Sequence, residues 1–374
     1  MNLFVTDPEW GWWIVLYFFL GGIAAGAYFL ASLIDVLGGS RARDLPRVGY
    51  WIAFPLILLC GMLLTVDLER PERFWHMLFR SEQVEEALRQ GWPAGGWTAM
   101  LQAPLLKQWS PMSVGSWALM VFGVCSGLSL LGSLWPEGRL AWLFRRSALG
   151  KLLQVVGSLV GFFVAAYTGT LLSATNQPVW SDTPWVAPLF LTSAASTGAA
   201  AMLMLARFSG TGWEEAAGRL ERVDIMALVL ELLVFVAFVV SLAVWLGPIW
   251  DTTQGKLLLA AVPILGMLLP LAFYVAGWRA LHRASVAISL AAIFSLGGGL
   301  LLRYAILHTP RGILAKGQSL ISTLPETPVG TPGSGVPWPA RVSPEDGRPQ
   351  SAPGADPGNR PAELHPRSKF IDHE

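Results

Sequence analysis

The stretch WWIVLYFFLGGIAAGAYFLASLIDV, residues 12–36, sets the terms for the whole protein, because Asp35 is its one charged residue. About 20 apolar residues in a helix cross the ~30 Å hydrocarbon core of a bilayer, and this run exceeds that length. Seven further apolar windows follow, at residues 48–66, 114–134, 149–174, 185–206, 223–246, 256–278 and 285–307. Across all 374 residues, 53% are hydrophobic and 14% charged, against about a quarter charged in a globular protein, and the mean hydropathy is +0.50. Lipid offers no partner for open backbone groups, so such spans are helices. The expectation is an all-α integral membrane protein of eight helices, arranged as two four-helix bundles. Residues 1–310 form its membrane domain and residues 311–374 its tail.

The N-terminus carries Asp7 and Glu9 where a signal peptide carries basic residues, so the first span is expected to be retained. Cys60 and Cys125 fall inside apolar runs, where a thiol acts as a small buried side chain. The loops after spans one, three, five and seven hold twelve Lys and Arg residues, among them Arg41, Arg145, Lys151, Arg207 and Arg283. Residues 1–11, 175–184 and 247–256 together hold Lys256 alone. By the positive-inside rule, both termini and the 175–184 loop lie outside the cytoplasm of a bacterial inner membrane. Trp10, Trp12, Trp13, Trp180, Trp185 and Trp250 sit near the same ends, as an interfacial belt would.

Two segments lie outside the spans. Residues 67–113 form a connection long enough to be a docking surface, and RFWHMLFRSEQVEEALRQGW within it suggests an amphipathic surface helix. Residues 325–374 carry eleven prolines with almost no apolar periodicity, which reads as a disordered tail.

Polar residues within apolar spans are expensive and point to function. Glu231, in IMALVLELLVFVAF, lies well inside the sixth span; it suits either proton transfer or a structural hydrogen bond. Asp35 stands near the cytoplasmic end of the first span, as a proton group or as an interfacial residue. AAYTGTLLSATNQPVWSD, residues 165–182, makes the end of the fourth span rich in hydroxyls. Tyr17 and Tyr167 each fall ~8–10 Å below the outer surface at ~1.5 Å per residue. Thr170 shares the Tyr167 face, Asp67 closes the second helix, and Arg303 lies near the outer end of the eighth. Four helices could therefore present polar groups to one pocket; alternatively, the tyrosines anchor helices and the arginine snorkels. The histidines, His76, His282, His308, His365 and His373, lie in loops, helix ends or the tail, which argues against bis-His haem. No cysteine cluster for iron-sulfur centres occurs, and no nucleic-acid partner is expected. The glycines at 297–299 suit close helix packing.

These elements occur in a recognisable order. WGWWIVLYFFLGGIAAGAYFLA (10–31), DLERPERFWHML (67–78), SPMSVGSW (110–117), YTGTLLSATNQPVWSDTPWVAPLFLTSAASTGAA (167–200) and GGLLLRYAI (298–306) resemble the NrfD-type family of polysulfide reductase membrane subunits, over residues 8–310. The resemblance implies a subunit that is not catalytic alone, reacts with menaquinone or ubiquinone, and holds no haem or iron-sulfur cluster. It implies a ferredoxin-like iron-sulfur partner, joined to a molybdopterin catalytic subunit or a multihaem cytochrome. Residue by residue, the resemblance matches Tyr17, Tyr167 and Asp67 to the quinone site and supplies Arg70, which with Arg73 is expected to dock the partner. From the polar residues read above, Thr170 and Arg303 join the expected quinone site, and Asp67, Glu231 and Asp35 are the candidates for proton transfer. Ordinary solvation, or pairing with Glu69 and Glu72, is the other account of Arg70 and Arg73. The sequence departs from the family pattern where Tyr17 stands at a position that is His in the founding subunit, and Ile14 at a neighbouring Asn. Tyrosine, with a reference pKa of about 10, shuttles protons less readily than histidine at about 6.5. Two rivals remain: a secondary transporter, to which Glu231 and the prolines Pro263 and Pro270 are suited, and a structural anchor without quinone chemistry.

Overall fold

The computed structural model describes residues 10–37, 45–68, 70–79, 110–135, 138–209, 213–279 and 284–323. The protein falls into two units, Met1–Ser322 and Thr323–Glu374, and the first contains the helices described below. Most of RFWHMLFRSEQVEEALRQGW, the whole of 325–374, and Arg41, Arg43 and Arg283 lie outside the described residues.

Among the described residues, eight helices are long and apolar enough to cross a membrane. They are α1 (Trp12–Leu37), α2 (Leu45–Asp67), α3 (Pro111–Leu134), α4 (Ala148–Ser173), α5 (Val186–Ser209), α6 (Trp213–Ser241), α7 (a composite from Thr253 to Arg279) and α8 (Ala284–Thr323). Local chemistry sets several of their ends. Pro111 opens α3, where its missing N–H costs nothing. The Ser147 side chain accepts from the Gly150 N–H at 3.1 Å to start α4, and Thr252 does the same for α7 through the Gly255 N–H at 3.0 Å. Around Pro263, α7 widens into two π-helical turns, Leu257–Ala261 and Ile264–Leu268, which accommodate the residue that cannot donate.

Two helices depart from the sequence expectation. Helix α6 begins ten residues before the expected residue 223, at Trp213, and gives way after Ser241 to the short helices Ala243–Trp245 and Leu246–Trp250. Helix α8 runs straight through Pro310 to Thr323, past the expected end at 307 and past residue 310, where the sequence suggests the membrane domain stops. Its 40 residues span roughly 60 Å at ~1.5 Å each, about twice the hydrocarbon thickness. Tertiary contacts explain the extension: Ile313 is buried, Gly312 packs against Thr252 and Gln254, and Lys316 pairs with Asp251 at 2.9 Å.

The eight helices form two rings of four. In the first, α1 packs on α2 and α4, and α3 closes the ring against both. In the second, α5 packs on α6 and α6 on α7, while α7 meets α8 where a Cβ on Gly298 would collide with the Gly266 Cα. The glycines of 297–299 thus bring two backbones together, as their sequence suggests. The rings share a seam between α1 and α5. There a Cβ on Gly26 would collide with the Ala194 carbonyl oxygen, and one on Gly198 would lie 2.5 Å from the Ala27 nitrogen. Helix α1 is correspondingly buried along most of its length.

Because overpacking a close contact costs ~1–3 kcal/mol or more, Gly26→Val and Gly198→Val should each lower the thermal unfolding midpoint in detergent by several degrees. Gly61→Ala, at a position with no neighbouring atom within 4 Å, should leave it unchanged.

Candidate functional site

The upper end of the first ring, where α1 begins and α4 ends, brings together two of the expected residues. Tyr17 is 5% exposed on α1, and its hydroxyl has no hydrogen-bond partner among the described residues. Its backbone carbonyl receives the Cys60 thiol of α2 at 3.7 Å. Tyr167 of α4 lies within electrostatic range of it. The Tyr167 ring stacks on Phe163, with centroids 5.6 Å apart, and lies flat against Gly115 of α3, where an added Cβ would run into the ring. Its hydroxyl donates to the Pro111 carbonyl at 2.6 Å. The phenolic oxygen keeps its lone pairs, so Tyr167 can still accept a hydrogen bond.

Other expected residues stand at the rim. Asp67 ends α2 and is exposed, with no hydrogen-bond partner among the described residues. Thr170 is exposed, one turn above Tyr167, and bonds back to the Ala166 carbonyl at 3.2 Å. The remaining hydroxyls of this stretch also bond to their own helix: Thr168 to Ala165, Ser173 to Gly169, and Thr175 to Leu172. Arg70 precedes the 3-10 turn Pro71–Arg73, and both arginines are exposed. The 175–184 loop is firmly held. Trp180 stacks on Trp10 at 5.6 Å and donates to the Ile306 carbonyl at 2.7 Å. Val179 takes φ 72°, a conformation β-branched residues rarely adopt, and its N–H donates to Asp182 at 2.8 Å.

Arg303 does not join this group and does not snorkel. It is 1% exposed and packs against α1 from the side of the second ring. Its guanidinium donates to the Phe18 carbonyl at 3.2 Å, Ser193 Oγ at 2.8 Å, the Gly299 carbonyl at 2.8 Å and the Phe190 carbonyl at 3.5 Å. The site at Gly22 is closed by this side chain, since a Cβ there would lie 2.7 Å from Arg303 Nη2. Glu231 of α6 is buried and accepts from Ser196 Oγ at 2.6 Å, within electrostatic range of Arg303. These residues form a polar clamp across α1, α5, α6 and α8.

Asp35 anchors a second network at the lower end. Its carboxylate accepts from Arg145 Nε at 2.8 Å and Nη2 at 2.7 Å, from Gln154 Nε2 at 2.9 Å and from the Tyr50 hydroxyl at 3.2 Å. A bidentate guanidinium pair with two further donors is a strong fixed arrangement, and proton transfer by Asp35 would first have to break it. The expected Arg41 partner lies outside the described residues.

Sequence reasoning missed three participants. Asp224 and Tyr274 are buried together, with the Tyr274 hydroxyl donating to Asp224 Oδ2 at 2.5 Å, while Asp224 Oδ1 has no partner. Asp224 falls at the edge of the expected sixth span, where a carboxylate reads as interfacial; the earlier start of α6 puts it inside the packed helix. Gln154 is also buried, and only its spacing from the start of α4 hinted at a lower-end role. Among the described residues no group of histidine, cysteine and acidic residues could hold a metal.

Comparison with known proteins fits this architecture. A family model described as Polysulphide reductase, NrfD, matches residues 5–315. The sequence is 27% identical over 321 residues to the C chain of the polysulfide reductase of Wolinella succinogenes, covering 80% of this protein and 93% of that one. It is 27% identical over 320 residues to the protein NrfD of Escherichia coli, covering 80% and 94%. The C subunit of the selenate reductase of Mesobacillus selenatarsenatis is 26% identical over 221 residues, covering 56% of this protein and half of that one.

If Arg303 and Glu231 act as one clamp, their substitutions should not add. In a double-mutant cycle of Arg303→Met and Glu231→Gln, detergent unfolding should show a coupling of ~0.5–3 kcal/mol, and additive effects would separate the two residues.

Proposed function

The chain belongs to the NrfD polysulphide reductase family, and on that premise we propose that it is the quinone-reactive membrane subunit of a reductase complex. It is a multi-pass membrane protein. The observation that carries the reading is the pair of phenols at the upper end of the first ring. Tyr17 is buried with a hydroxyl that has no partner among the described residues, and Tyr167, within electrostatic range of it, directs its proton to Pro111.

The residues present fit a quinol ring. The Tyr17 hydroxyl can donate to one ring oxygen. Tyr167, already donating to the Pro111 carbonyl, accepts from the hydroxyl on the other side, which favours the reduced form that carries that proton. Phe163 and Gly115 hold the Tyr167 ring in one orientation, so the hydrogen bonds form without a search through rotamers. When bound, the quinol supplies two electrons and two protons. Asp67 at the rim takes the protons toward water, being the exposed carboxylate nearest the end of α2. Thr170 lines the rim above Tyr167. Arg303 supports the site from behind by fixing α1 at Phe18, the residue next to Tyr17. Glu231, bonded to Ser196 and within electrostatic range of Arg303, is the group placed to pass protons toward the opposite face. Asp35 serves the lower end of the bundle.

The charge bias of the loops supports an orientation with the tyrosine end outside the cytoplasm of an inner membrane. The electrons then pass to an extracytoplasmic ferredoxin-like iron-sulfur subunit, bound to a molybdopterin enzyme or a multihaem cytochrome, with Arg70, Arg73 and the rigid 175–184 loop as its dock. The names of the relatives, components of polysulfide and selenate reductases, support the reductase assignment. A transporter reading draws on broken helices, but α7 passes Pro263 as widened turns and Glu231 is bonded to Ser196.

Removing one hydrogen bond worth ~0.5–1.5 kcal/mol lowers turnover roughly two- to tenfold. Tyr167→Phe in the assembled complex should therefore cut quinol oxidation by that factor, and Asp67→Asn should slow it most at high pH, where the carboxylate is the acceptor. Unchanged rates in both variants would remove the site. A cysteine placed at residue 181 should react with an impermeant reagent on intact cells, and reaction only after lysis would reverse the orientation.

A further inference from the structure

A groove between α2 and α3 has no part in the site as described so far. It encloses about 990 Å³ and runs from Phe54 and Leu131 at its lower end to Thr65 and Ser116 at its upper end. The rise from Phe54 to Thr65 is roughly 17 Å at ~1.5 Å per residue. Its lining is almost entirely hydrocarbon, and the room comes from glycine. Gly61 has no neighbouring atom within 4 Å, and the nearest to Gly123 is an Ile57 methyl at 4.0 Å. Leu58, Met62 and Val124 on its flanks are exposed, so the groove faces the bilayer and its lining suits a hydrocarbon tail.

Two observations select which tail. The first is a roof. Phe74, Met77 and Leu78, from the segment that follows α2, line the upper end of the groove. That segment is fastened to α3 by Trp117 Nε1 donating to the Leu78 carbonyl at 3.0 Å and by the edge-on Phe79 and Trp117 rings, 5.3 Å apart. A phospholipid acyl group lying here would need its headgroup above that roof. A molecule whose polar head stays within the membrane meets no such obstacle. The second observation is continuity. Gly61 follows Cys60, whose thiol meets the Tyr17 carbonyl, and Ser116 follows Gly115, on which the Tyr167 ring rests. The upper groove and the tyrosine pair thus share the same turns of α2 and α3.

We propose that the α2–α3 groove holds the isoprenoid tail of the quinol whose ring engages Tyr17 and Tyr167, and that the ring enters between these two helices. The inference rests on the quinone assignment above and adds to it the tail site, the entrance and a preference for long-tailed substrates.

The test uses the complete complex in native-lipid nanodiscs, with a quinol carrying a tail of several isoprene units and, in parallel, tail-less duroquinol. Gly61→Phe fills the groove from α2 and Gly123→Leu fills it from α3. Each should raise the KM for the tailed quinol tenfold or more while the kinetics with duroquinol stay within twofold. Tyr167→Phe, in contrast, should slow both quinols alike. Unchanged kinetics with the tailed quinol in both groove variants overturn the proposal. So does an equal loss with both quinols, or a fall in retained phospholipid, counted by mass spectrometry, without a kinetic change. Failure of the unaltered complex to oxidise either quinol removes the quinone assignment itself, and the groove proposal with it.

Discussion

The close approach of α1 and α5 is the constraint on which the rest of the molecule depends. Gly26 and Gly198 let the two backbones meet where any side chain would collide with a carbonyl or a neighbouring peptide. In lipid, apolar helices gain little from hiding from their surroundings, so association rests on close packing and hydrogen bonds. The seam supplies the first, and Arg303 supplies the second by bonding to carbonyls of α1, α5 and α8 at once. A charge buried among backbone acceptors is a costly element to place in a membrane. Its retention fixes the register of three helices against one another.

That register reaches the tyrosine end. Phe18, whose carbonyl Arg303 holds, adjoins Tyr17, so the second ring sets the height of a phenol that faces the first ring. Tyr167 is oriented independently, by Gly115, Phe163 and the Pro111 carbonyl. The two phenols are therefore positioned from opposite sides, one by a buried cation and one by a flat glycine surface. At the lower end the Asp35–Arg145 pair ties α1 to the turn before α4, with Tyr50 and Gln154 adding bonds from α2 and α4. The first ring is thus tied by an ion pair below, and its lipid-facing side carries a groove between α2 and α3 where Gly61 and Gly123 leave room.

Much of this was legible in the residues. Hydropathy alone located eight spans to within a few residues at most ends, because the length of an apolar run is set by the bilayer and needs no partner to interpret. The glycines at 297–299 in α8 announced close packing. The motif order pointed to the family, and Tyr17 and Tyr167 were placed at a common level by counting residues along two helices. Sequence left Arg303 open between a shared pocket and snorkelling, because position along a helix says how deep a side chain starts, whereas the face it occupies decides whether it can reach water.

Sequence by itself determined the membrane class, the number of apolar spans and the depth of each polar residue along its helix, since these depend on composition and on the fixed rise of a helix. Tertiary structure alone decided which polar groups meet. It joined Arg303 to Ser193 and Glu231 to Ser196 on α5, and Asp35 to Arg145 across 110 residues. It buried Asp224 against Tyr274, extended α8 along the connection between α6 and α7, and opened a groove between α2 and α3. The physical reason is that helix rotation and register follow from the fit of whole faces, and small residues scattered across several spans set that fit jointly.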